Sequence, residues 1–592
     1  MTSNDPVIRP LLSTAPDWPH CGHGADPAAD PVGCRGRRVE PYTGCLSHLS
    51  DTDRSTYLAG LQPGSDIDHR GTTLSEDLLA ELLAPLVPAG DRAPHFGAVQ
   101  FGHSRFEGLA GFYFARFSGH AWFFDAQFEG HAAFDSARFE QGAVFISTRF
   151  RDNAAFHKAL FSGDASFHHA TFSGDTGFIG ARFDGDASFS SSEMHSGARF
   201  TEARFSGRAG FGAVTITGDA DFGGATFEKA SGLGPVVCGG GISLSGAAFH
   251  NPVTIEVAAP TLTCQRTHWA AKAELRLRYA TVDLSDSFTE HPVTIAAHTQ
   301  PFTYGRERLA EPGLRDPRVR VTSLRGADAS HLVLTDVDLT DCLFTGAIHL
   351  DQLKTEGRCP LPATPTGVRW QGIRPTRWTP RLTLAEEHHW RASRSTGAHG
   401  WIAAEQGARV LEPTTLAPVY RQLRKSFEDS KDEPGAADFY YGEMEMRRHN
   451  RHTPRAERAL LAVYWAMSGY GLRASRALGW LLLAMTSTML VMMLWGLPKD
   501  APKPTSTGTV NGSRVTLTTD TPDPVNPDGP LQKRLSAERF EKSLRVVINS
   551  VVFRSSGQVL TTQGTYTEMA ARLGEPILLG LAVLAIRGRV KR

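Results

Sequence analysis

The sequence predicts a mainly β protein in which a long β-solenoid with helical caps is followed by an α-helical membrane hairpin. Three observations predict this fold class. A large apolar residue recurs from Phe101 to Phe227 in alternating steps of five and six residues, residues 478–497 contain no charge, and a short apolar segment with a basic end follows at 576–592. A fixed repeat is typical of solenoids, and about twenty uncharged residues have the length of a membrane span.

The composition sets the size and the expected compartment of the protein. Its 592 residues are enough for three or four domains, and its 62 basic and 62 acidic residues leave bulk nucleic-acid binding without support from net charge. Seven cysteines are too few for a disulfide scaffold. The segment up to Trp18 has no charged stretch followed by an apolar run, so we expect no signal peptide and a cytoplasmic N-terminal part.

The repeat between 101 and 227 fits short strands that turn at corners. Of its 24 large apolar positions, 22 are Phe and the others are Met194 and Ile216, and the residue two positions earlier is Ala in 18 cases. Steps of five and six do not follow one narrow face of an α-helix, and a flat strand needs a period of two. Each side of a solenoid instead points one Phe and one small residue inward. A Phe-rich disordered segment, the alternative, needs no strict alternation.

The six-residue steps contain one extra residue, which we place at a corner. Because a corner residue with positive φ favours glycine, we expect glycine there. Eight of the eleven steps have it, at Gly108, Gly119, Gly130, Gly163, Gly174, Gly185, Gly207 and Gly218.

Stretches such as FSGDASFHHATF resemble the pentapeptide-repeat family in its Phe-rich variant, over residues 96–230. The resemblance implies a right-handed quadrilateral β-helix with four sides per coil. Residues 236–300 then show strand-like alternation without the Phe pattern, and SLRGADASHLVLTDVDLTDCLFTGA returns to even steps of five. We therefore predict one continuous solenoid over 96–350.

Helical segments are expected on both sides of the solenoid, because its ends expose backbone edges. Residues 61–95 contain the amphipathic helix 74–86, which we predict as the N-terminal cap. Residues 351–415 are rich in Pro and Trp and are expected to form an irregular connector. Residues 416–455 predict an antiparallel helix pair at about 416–430 and 434–449, broken by Asp432-Glu433-Pro434-Gly435.

The N-terminal segment 1–60 contains a Cys/His cluster. Cys21, Cys34, Cys45 and His48 have the ligand types and the number that close a tetrahedral Zn²⁺ site. A metal would also stabilise a segment that has few core-forming residues. His20 and His23 are alternative fourth ligands, and three unrelated thiols are the alternative to any site.

The C-terminal part predicts two membrane spans with both termini in the cytoplasm. The first span is the uncharged stretch 478–497 within the segment 456–497, with Trp480 and Trp495 near its ends. Four arginines precede it, at 455, 458, 473 and 476. A buried core helix is the alternative. Residues 498–535 predict an extracytoplasmic Pro/Thr-rich loop, which is non-helical over 498–530. Residues 536–592 contain an amphipathic helix, a second apolar segment with an uncharged core at 576–586, and the basic residues Arg587, Arg589, Lys591 and Arg592.

This order is similar to that of a two-span ion-channel subunit with a pore loop. Thr561, Thr562, Gly564 and Tyr566 resemble the T-T-x-G-Y-G filter of potassium channels, but Thr565 separates the glycine from the tyrosine and the second glycine is missing. A filter depends on backbone carbonyls that face the ion, which those glycines permit. A plain anchoring hairpin is the other interpretation.

Two functions therefore remain. The first is a membrane-anchored interaction scaffold with a protein partner on its solenoid; the second is an oligomeric channel or membrane-perturbing effector with a cytoplasmic sensor solenoid. A DNA mimic needs a strongly acidic solenoid, whereas residues 97–232 contain 15 acidic and 11 basic residues. We expect no enzymatic activity, because the histidines of the solenoid show no pattern of nucleophile and base.

Overall fold

The computed structural model describes residues 15–229, 232–371, 374–394, 400–499, 502–526, 529–552 and 554–590. The first fourteen residues of the predicted N-terminal segment and the last two basic residues therefore lie outside the described residues. The chain divides into two compact units, Met1–Ala408 and Arg409–Arg592.

The first unit is a parallel β-solenoid of about 12 turns. Over most of the Phe-rich part, each strand pairs with the fourth strand along the chain, 22 residues away, so that four strands complete one coil. The first column of strands contains Ile67–Asp68, Val99–Gln100, Ala121–Trp122, Ala143–Val144, Ala165–Ser166, Ala187–Ser188 and Ala209–Gly210. The second contains Thr73–Ser75, Arg105–Glu107, Gln127–Phe128, Arg149–Phe150, Thr171–Phe172, Glu193–Met194 and Val214–Ile216.

The two other columns have ten strands each. One contains Ala110–Gly111, Ala132–Ala133, Ala154–Ala155, Thr176–Gly177, Ala198–Arg199, Ala220–Asp221, Gly241–Ser243, Thr261–Thr263, Thr281–Asp283 and Arg320–Ser323. The other contains His95–Phe96, Arg116–Phe117, Arg138–Phe139, Leu160–Phe161, Arg182–Phe183, Arg204–Phe205, Thr226–Phe227, Ala248–Phe249, His268–Trp269 and Phe288–Thr289.

The interior confirms the predicted register. All 24 large apolar positions are at most 3% exposed, and the small residue two positions earlier is buried at each of them. Phenylalanines one coil apart stack face to face, as Phe123 does on Phe145 at 4.8 Å between ring centroids. Burying a Phe side chain contributes roughly 1.5–3 kcal/mol before the cost of ordering the chain, so the core is cohesive along its length.

The prediction about the corner glycines was wrong for seven of the eight, since only Gly108 has a positive φ. The left-handed residues lie instead in the five-residue steps, two positions after a Phe, and most are not glycine; Ser136, Ser147 and Lys158 are examples. At Gly185, a Cβ atom would lie 2.5 Å from the carbonyl carbon of Gly163 one coil earlier. Glycine is therefore used where neighbouring coils approach too closely for a side chain.

Beyond residue 230, the first two columns merge into one long strand per coil. These strands are Gly232–Cys238, Val253–Ala258, Ala273–Arg278, Val293–Ala297, Leu332–Thr335 and Lys354–Glu356. Pairing partners from Val253 to Val293 are 20 residues apart instead of 22. Alternating side chains such as Val253, Ile255 and Val257 point inward. The middle that lacks the Phe pattern thus remains part of the predicted continuous solenoid.

Short elements close the ends of the solenoid. Before it lie the 3₁₀ turn Leu46–His48 and helix α1 (Asp51–Ala59). The predicted cap is α2 (Glu76–Leu83), which continues as a 3₁₀ turn at Ala84–Leu86; Ser75 accepts a hydrogen bond from the Leu78 N–H at its start. Parallel pairing begins before residue 96, because Ile67–Asp68 and Thr73–Ser75 already pair with the next coil.

The segment 351–415 has more regular structure than a connector needs. It contains Lys354–Glu356, the hairpin Val368–Gln371 with Arg374–Arg377, and helix α3 (Ala385–Ala392). A 3₁₀ turn, Leu350–Gln352, overlaps its start. A further hairpin, Thr303–Tyr304 with Glu307–Arg308, lies earlier in the chain. The buried Glu386 carboxylate accepts hydrogen bonds from the N–H groups of Phe344 and Thr345 at 2.6 and 3.0 Å. These donors belong to the last coil, so α3 caps that end of the solenoid.

The second unit is mainly helical. The predicted helix pair is α4 (Pro413–Asp429) and α5 (Glu433–His449), with Asp432 capping α5 through the Gly435 N–H. Then follow α6 (Arg455–Ser468), α7 (Ala474–Val491) with a π-helical end at Met492–Gly496, α8 (Leu531–Arg534), α9 (Ala537–Val551) and α10 (Thr562–Val590). The predicted loop 498–535 contains an exposed antiparallel hairpin, Thr505–Asn511 with Arg514–Asp520.

The fold class is thus confirmed: a mainly β parallel solenoid with C-terminal helices, two of which are long and apolar. The right-handed twist and the quadrilateral cross-section stay predictions.

Candidate metal centre and membrane module

Cys21, Cys34, Cys45 and His48 meet in the N-terminal segment. One ligand atom from each lies within 4.8 Å of all the others. The Cys34 and Cys45 sulfurs are 3.7 Å apart, and His48 Nδ1 is 3.6 Å from Cys21 Sγ and 3.3 Å from Cys45 Sγ. The four residues that the sequence singles out therefore form one cluster, although they are spread over 28 positions.

Backbone hydrogen bonds bring the loops of this cluster together. The N–H of Cys21 donates to Gly36 O at 2.8 Å, and the N–H of Gly22 donates to Cys34 O at 2.8 Å. A Cβ atom on Gly36 would lie 2.8 Å from Cys45 Sγ, so glycine is required for the chain to pass the thiol. Cys45 is followed by the 3₁₀ turn Leu46–His48, which brings the His48 ring back to the Cys45 sulfur.

The cluster has the size and the donor set of a tetrahedral zinc site. With Zn–S bonds of about 2.3 Å, two sulfurs around one Zn²⁺ are about 3.8 Å apart, close to the separation of Cys34 and Cys45. His23 stacks its ring on that of His48 at 4.2 Å and is not one of the four clustered ligands, nor is His20. Three cysteines and one histidine could hold a metal such as zinc, with His48 as the fourth ligand.

The electrostatics of the cluster favour a thiolate at Cys45. A hydrogen bond with Cys34 lowers the pKa of the Cys45 thiol far below its usual value, and the Ser47 hydroxyl and the His48 ring lower it further. Burial and the shared hydrogen bond raise the pKa of Cys34. The thiolate is the form that binds a metal ion, so Cys45 is prepared for ligation.

The Cys/His cluster is linked to the first coil of the solenoid. The Arg37 N–H donates to Arg70 O at 2.8 Å, and the Arg37 guanidinium forms an ion pair with Asp68 at 2.8 Å. The Trp18 ring lies under the Arg70 guanidinium, 5.1 Å from the ring centroid. A metal bound here would hold the segment that covers the end of the Phe core.

Exposed aromatic side chains mark one corner of the early coils. Trp122 and Phe124 are 39% and 40% exposed, although they lie on a strand and a corner of the solenoid. The ring of His103 contacts Phe124 at 5.3 Å and Trp18 at 5.6 Å. We call Trp18, His103, Trp122 and Phe124 the aromatic corner. Exposed aromatic groups of this kind are enriched in protein interfaces.

Two helices of the second unit are long and apolar enough to cross a membrane, Ala474–Gly496 and Thr562–Arg587. A Cβ atom on Gly564 would lie 2.3 Å from Gly496 O, so the two chains are in close backbone contact at this level. Further along, Thr488 of α7 bonds to Glu575 of α10, which makes the helices antiparallel. The second apolar helix is longer than its uncharged core, because it includes the charged residues before Pro576.

Glu575 lies near the middle of the second apolar helix and is 1% exposed. The Thr488 hydroxyl of α7 donates to Glu575 Oε1 at 2.9 Å, and Ser550 of α9 contacts Glu575 Oε2 at 2.5 Å. Three helices thus contribute to one polar contact. Ionisable groups at such depth are rare, and they pair with polar groups inside the helix bundle.

The residues of the proposed filter begin α10. Thr562–Tyr566 form its first turn, Thr561 O accepts a hydrogen bond from the Thr565 N–H at 2.9 Å, and the Thr561 hydroxyl donates to Trp495 O at 2.7 Å. Their carbonyls follow the helix axis, whereas a filter needs carbonyls that face an ion. The pore role of these residues stays a prediction that this conformation does not support.

Sequence reasoning missed Glu386 and Glu575. Glu575, directly before the uncharged core at 576–586, was a usable signal, because a carboxyl group beside an apolar segment needs a polar partner. Glu386 has no local signal, because its donors lie more than forty residues earlier in the chain.

The comparisons agree with the repeat. Residues 145–193 match the family model described as pentapeptide repeats (9 copies). No match was found among curated proteins or among solved structures. The matched residues lie in the middle of the Phe-rich coils, where the pattern of one Phe and one small residue per side is complete.

Proposed function

We propose that this pentapeptide-repeat protein is a membrane-anchored scaffold, which is fixed by its two apolar helices and presents its solenoid to a protein partner. The observation that carries the proposal is the aromatic corner. The inward positions of the coils are filled by Phe and small residues, so an exposed Trp and Phe on this surface add nothing to the core. Large aromatic side chains contribute strongly to binding when a partner buries them.

The Phe core makes the solenoid a rigid platform. Stacked rings continue from coil to coil, as between Phe134 and Phe156 at 4.9 Å, and each strand is bonded to the strands before and after it. A rigid surface loses little conformational entropy when it binds. We propose no enzymatic role and no nucleic-acid ligand for it; self-association of the chain is compatible with this function.

The metal centre serves this platform as a structural zinc site. Three thiols and one imidazole leave no open coordination position, which is the arrangement of structural rather than catalytic zinc. Zinc would fix the segment that contributes Trp18 to the aromatic corner. The solenoid and the C-terminus are placed in the cytoplasm by this proposal, because arginines flank the start of the first span.

Site-specific photo-crosslinking in the native cell tests the scaffold role. A photoreactive phenylalanine analogue at position 124 is expected to give a discrete crosslinked protein. The same analogue at His168, which occupies the equivalent position two coils later, is the matched control and is expected to give none. The substitution Trp122→Ala should remove the crosslink at position 124. Equal crosslinking at both positions would contradict a specific partner site.

A second candidate function, a two-span channel subunit, is favoured by the place of α9. This helix follows the exposed hairpin and packs against both apolar helices, with Val546 in one cluster with Met492 and Leu560. Ion flux through liposomes that contain the purified full-length chain tests it. Ion flux above that of protein-free liposomes would support a channel. Flux equal to that of protein-free liposomes would contradict the channel and leave the membrane-anchored scaffold as the function.

A further inference from the structure

A basic cavity lies where the helix pair α4–α5 leads into the apolar helices. It has a volume of about 490 Å³ and is lined by Arg448, His449, Arg455, Arg458, Ala459 and Ala462. The first two residues come from the last turn of α5, and the others come from the first two turns of α6. Cavities of this size accommodate small ligands or lipid headgroups.

The lining of the cavity carries a positive charge that the protein only partly neutralises. None of the six lining residues is acidic. Arg448 is paired with Glu445 at 2.9 Å and stacks on Trp465 at 4.5 Å. Arg458 donates to Arg448 O, which is a neutral acceptor, and Arg455 is exposed and forms no ion pair within the described part of the chain. Two guanidinium groups are therefore available to an anion.

An apolar stripe of α6 lies beside the cavity. Arg455, Arg458, Ala459 and Ala462 repeat with helical spacing on one side, and Leu460 and Val463 fall on the neighbouring side, where they are 70% and 57% exposed. Five residues separate the end of α6 from α7, which begins the first apolar span. An amphipathic helix with a basic side and an apolar side is typical of the membrane interface.

We propose that this cavity binds the phosphate-bearing headgroup of an anionic phospholipid in the leaflet next to α6. Arg455 and Arg458 contact the phosphate, because guanidinium groups bind phosphate oxygens in a bidentate manner. Leu460 and Val463 lie against the acyl chains. The inference rests on the proposed membrane anchoring, and it adds a lipid class to it. A soluble phosphate compound would use the two arginines but not the apolar stripe.

Native mass spectrometry of the full-length chain in detergent tests the proposal, with dioctanoyl phosphatidylglycerol as probe and dioctanoyl phosphatidylcholine as neutral comparison. The wild type is expected to retain the anionic lipid and not the neutral one. The double variant Arg455→Gln/Arg458→Gln is expected to bind the anionic lipid about tenfold or more weakly, since each Arg near an anionic lipid contributes on the order of 1 kcal/mol. The variant Arg455→Lys/Arg458→Lys keeps the charge and is expected to retain most of the affinity.

Controls separate this site from general charge, from free anions and from a folding defect. The variant Arg514→Gln/Arg545→Gln removes two exposed arginines elsewhere and is expected to bind like the wild type. Unaltered lipid binding by Arg455→Gln/Arg458→Gln would overturn the proposal. So would displacement of the anionic lipid by an equal concentration of inorganic phosphate, which would assign the site to soluble anions. An unchanged thermal unfolding profile shows that the double variant is folded.

Failure of the anchor itself would be visible separately. Carbonate extraction of cell membranes releases a peripheral protein and leaves a spanning protein in the pellet. A wild-type chain that is released but still selects the anionic lipid would contradict the proposed anchoring and leave the lipid site intact. A chain that stays in the pellet but shows no lipid preference would support the proposed anchoring and contradict the lipid site.

Discussion

Phe145 and Phe167 lie face to face, with their ring centroids 4.9 Å apart and their planes within 1° of each other. They occupy the same position of successive coils, and both are fully buried. The neighbouring side chain of His168 is only partly covered, although it is adjacent in sequence. One residue of register thus separates the interior of the solenoid from its surface.

We predict that Phe145→Asp or Phe167→Asp unfolds or strongly destabilises the first unit, whereas His168→Asp does not. Loss of a buried Phe alone costs about 3–5 kcal/mol, and an unpaired buried carboxylate adds several more. Thermal unfolding of the fragment 1–408 measures the difference. Equal stability of the three variants would show that the register is wrong.

We predict that Gly185→Ala destabilises the solenoid by about 1–3 kcal/mol, because the new Cβ would lie 2.5 Å from backbone of the preceding coil. Gly180→Asn is the matched comparison. Gly180 has a φ of 64°, and the same corner of the coils before and after it is occupied by Lys158 and Glu202, which also have positive φ. Asn tolerates this conformation, so its cost should stay below about 1 kcal/mol. Chemical denaturation of both variants decides, and a larger loss for Gly180→Asn would contradict the close-approach argument.

We predict one Zn²⁺ per chain, held by Cys21, Cys34, Cys45 and His48. Elemental analysis of the purified chain should find it, and Cys45→Ser should lose it, whereas Cys359→Ser should keep it. Removal of the metal by a chelator should speed hydrogen exchange in Ile67–Asp68 and Thr73–Ser75, because Arg37 links the cluster to that coil. A metal-free protein with unchanged exchange in these strands would argue against a structural site.

We predict that acid destabilises the first unit through His69. Burial lowers the pKa of this side chain from 6.5 to about 4, and the Tyr57 hydroxyl is hydrogen-bonded to its Nε2 at 3.2 Å. The unfolded chain therefore binds a proton that the folded chain rejects. The stabilisation is complete above pH 6.5 and is lost as the pH falls toward 4, by roughly 3 kcal/mol.

The measurement compares the wild type with His69→Gln, both treated with chelator so that metal release does not contribute. The free energy of unfolding of the wild type should fall between pH 6.5 and 4 more steeply than that of the variant. Parallel curves would show that His69 does not control this window.

We predict that the exposed hairpin lies outside the cell and that the end of α10 lies inside. A cysteine at Thr507 should react with an impermeant maleimide in intact cells, and a cysteine at Arg587 should react only after permeabilisation. The arginines near the start of α7 and the basic residues at the end of α10 both favour this orientation, because basic residues that flank membrane spans stay on the cytoplasmic side. Labelling of both positions in intact cells would contradict a two-span hairpin.

The Phe pattern and the Cys/His cluster were accessible to sequence reasoning because each depends on residue type at fixed spacing. Phe145 is large and apolar, and this property both causes its burial and makes its spacing visible in the sequence. Cys45 lies in a segment with few core-forming residues, where a metal ligand is the clearest role for a cysteine. The glycine prediction failed because a φ angle and a close backbone approach select the same residue. Only the coil-to-coil distance at Gly185 distinguishes the two causes.

The parts that could not be predicted depend on partners distant in sequence. Glu386 accepts hydrogen bonds from N–H groups more than forty residues earlier in the chain, and Glu575 bonds to Thr488 on the antiparallel helix. The uncharged core at 576–586 covers only part of α10, because the helix also includes Glu575 and the residues back to Thr562. A carboxyl group that is bonded inside a helix bundle does not end a span.

Because steps of five and six residues alternate, the number of residues in the Phe-rich region fixes both the number of coils and the direction in which each later face points. Excision of 22 residues would shorten it by one coil, about 4.8 Å, and leave every later face pointing as before. Excision of 11 residues would preserve the interior equally well, since the pattern repeats at that interval. All later faces would then turn to the opposite side, including any surface that a partner recognises. The length of a deletion can thus change the orientation of the later solenoid faces without changing the packing of the Phe core. Point substitutions in this region do not separate these two properties.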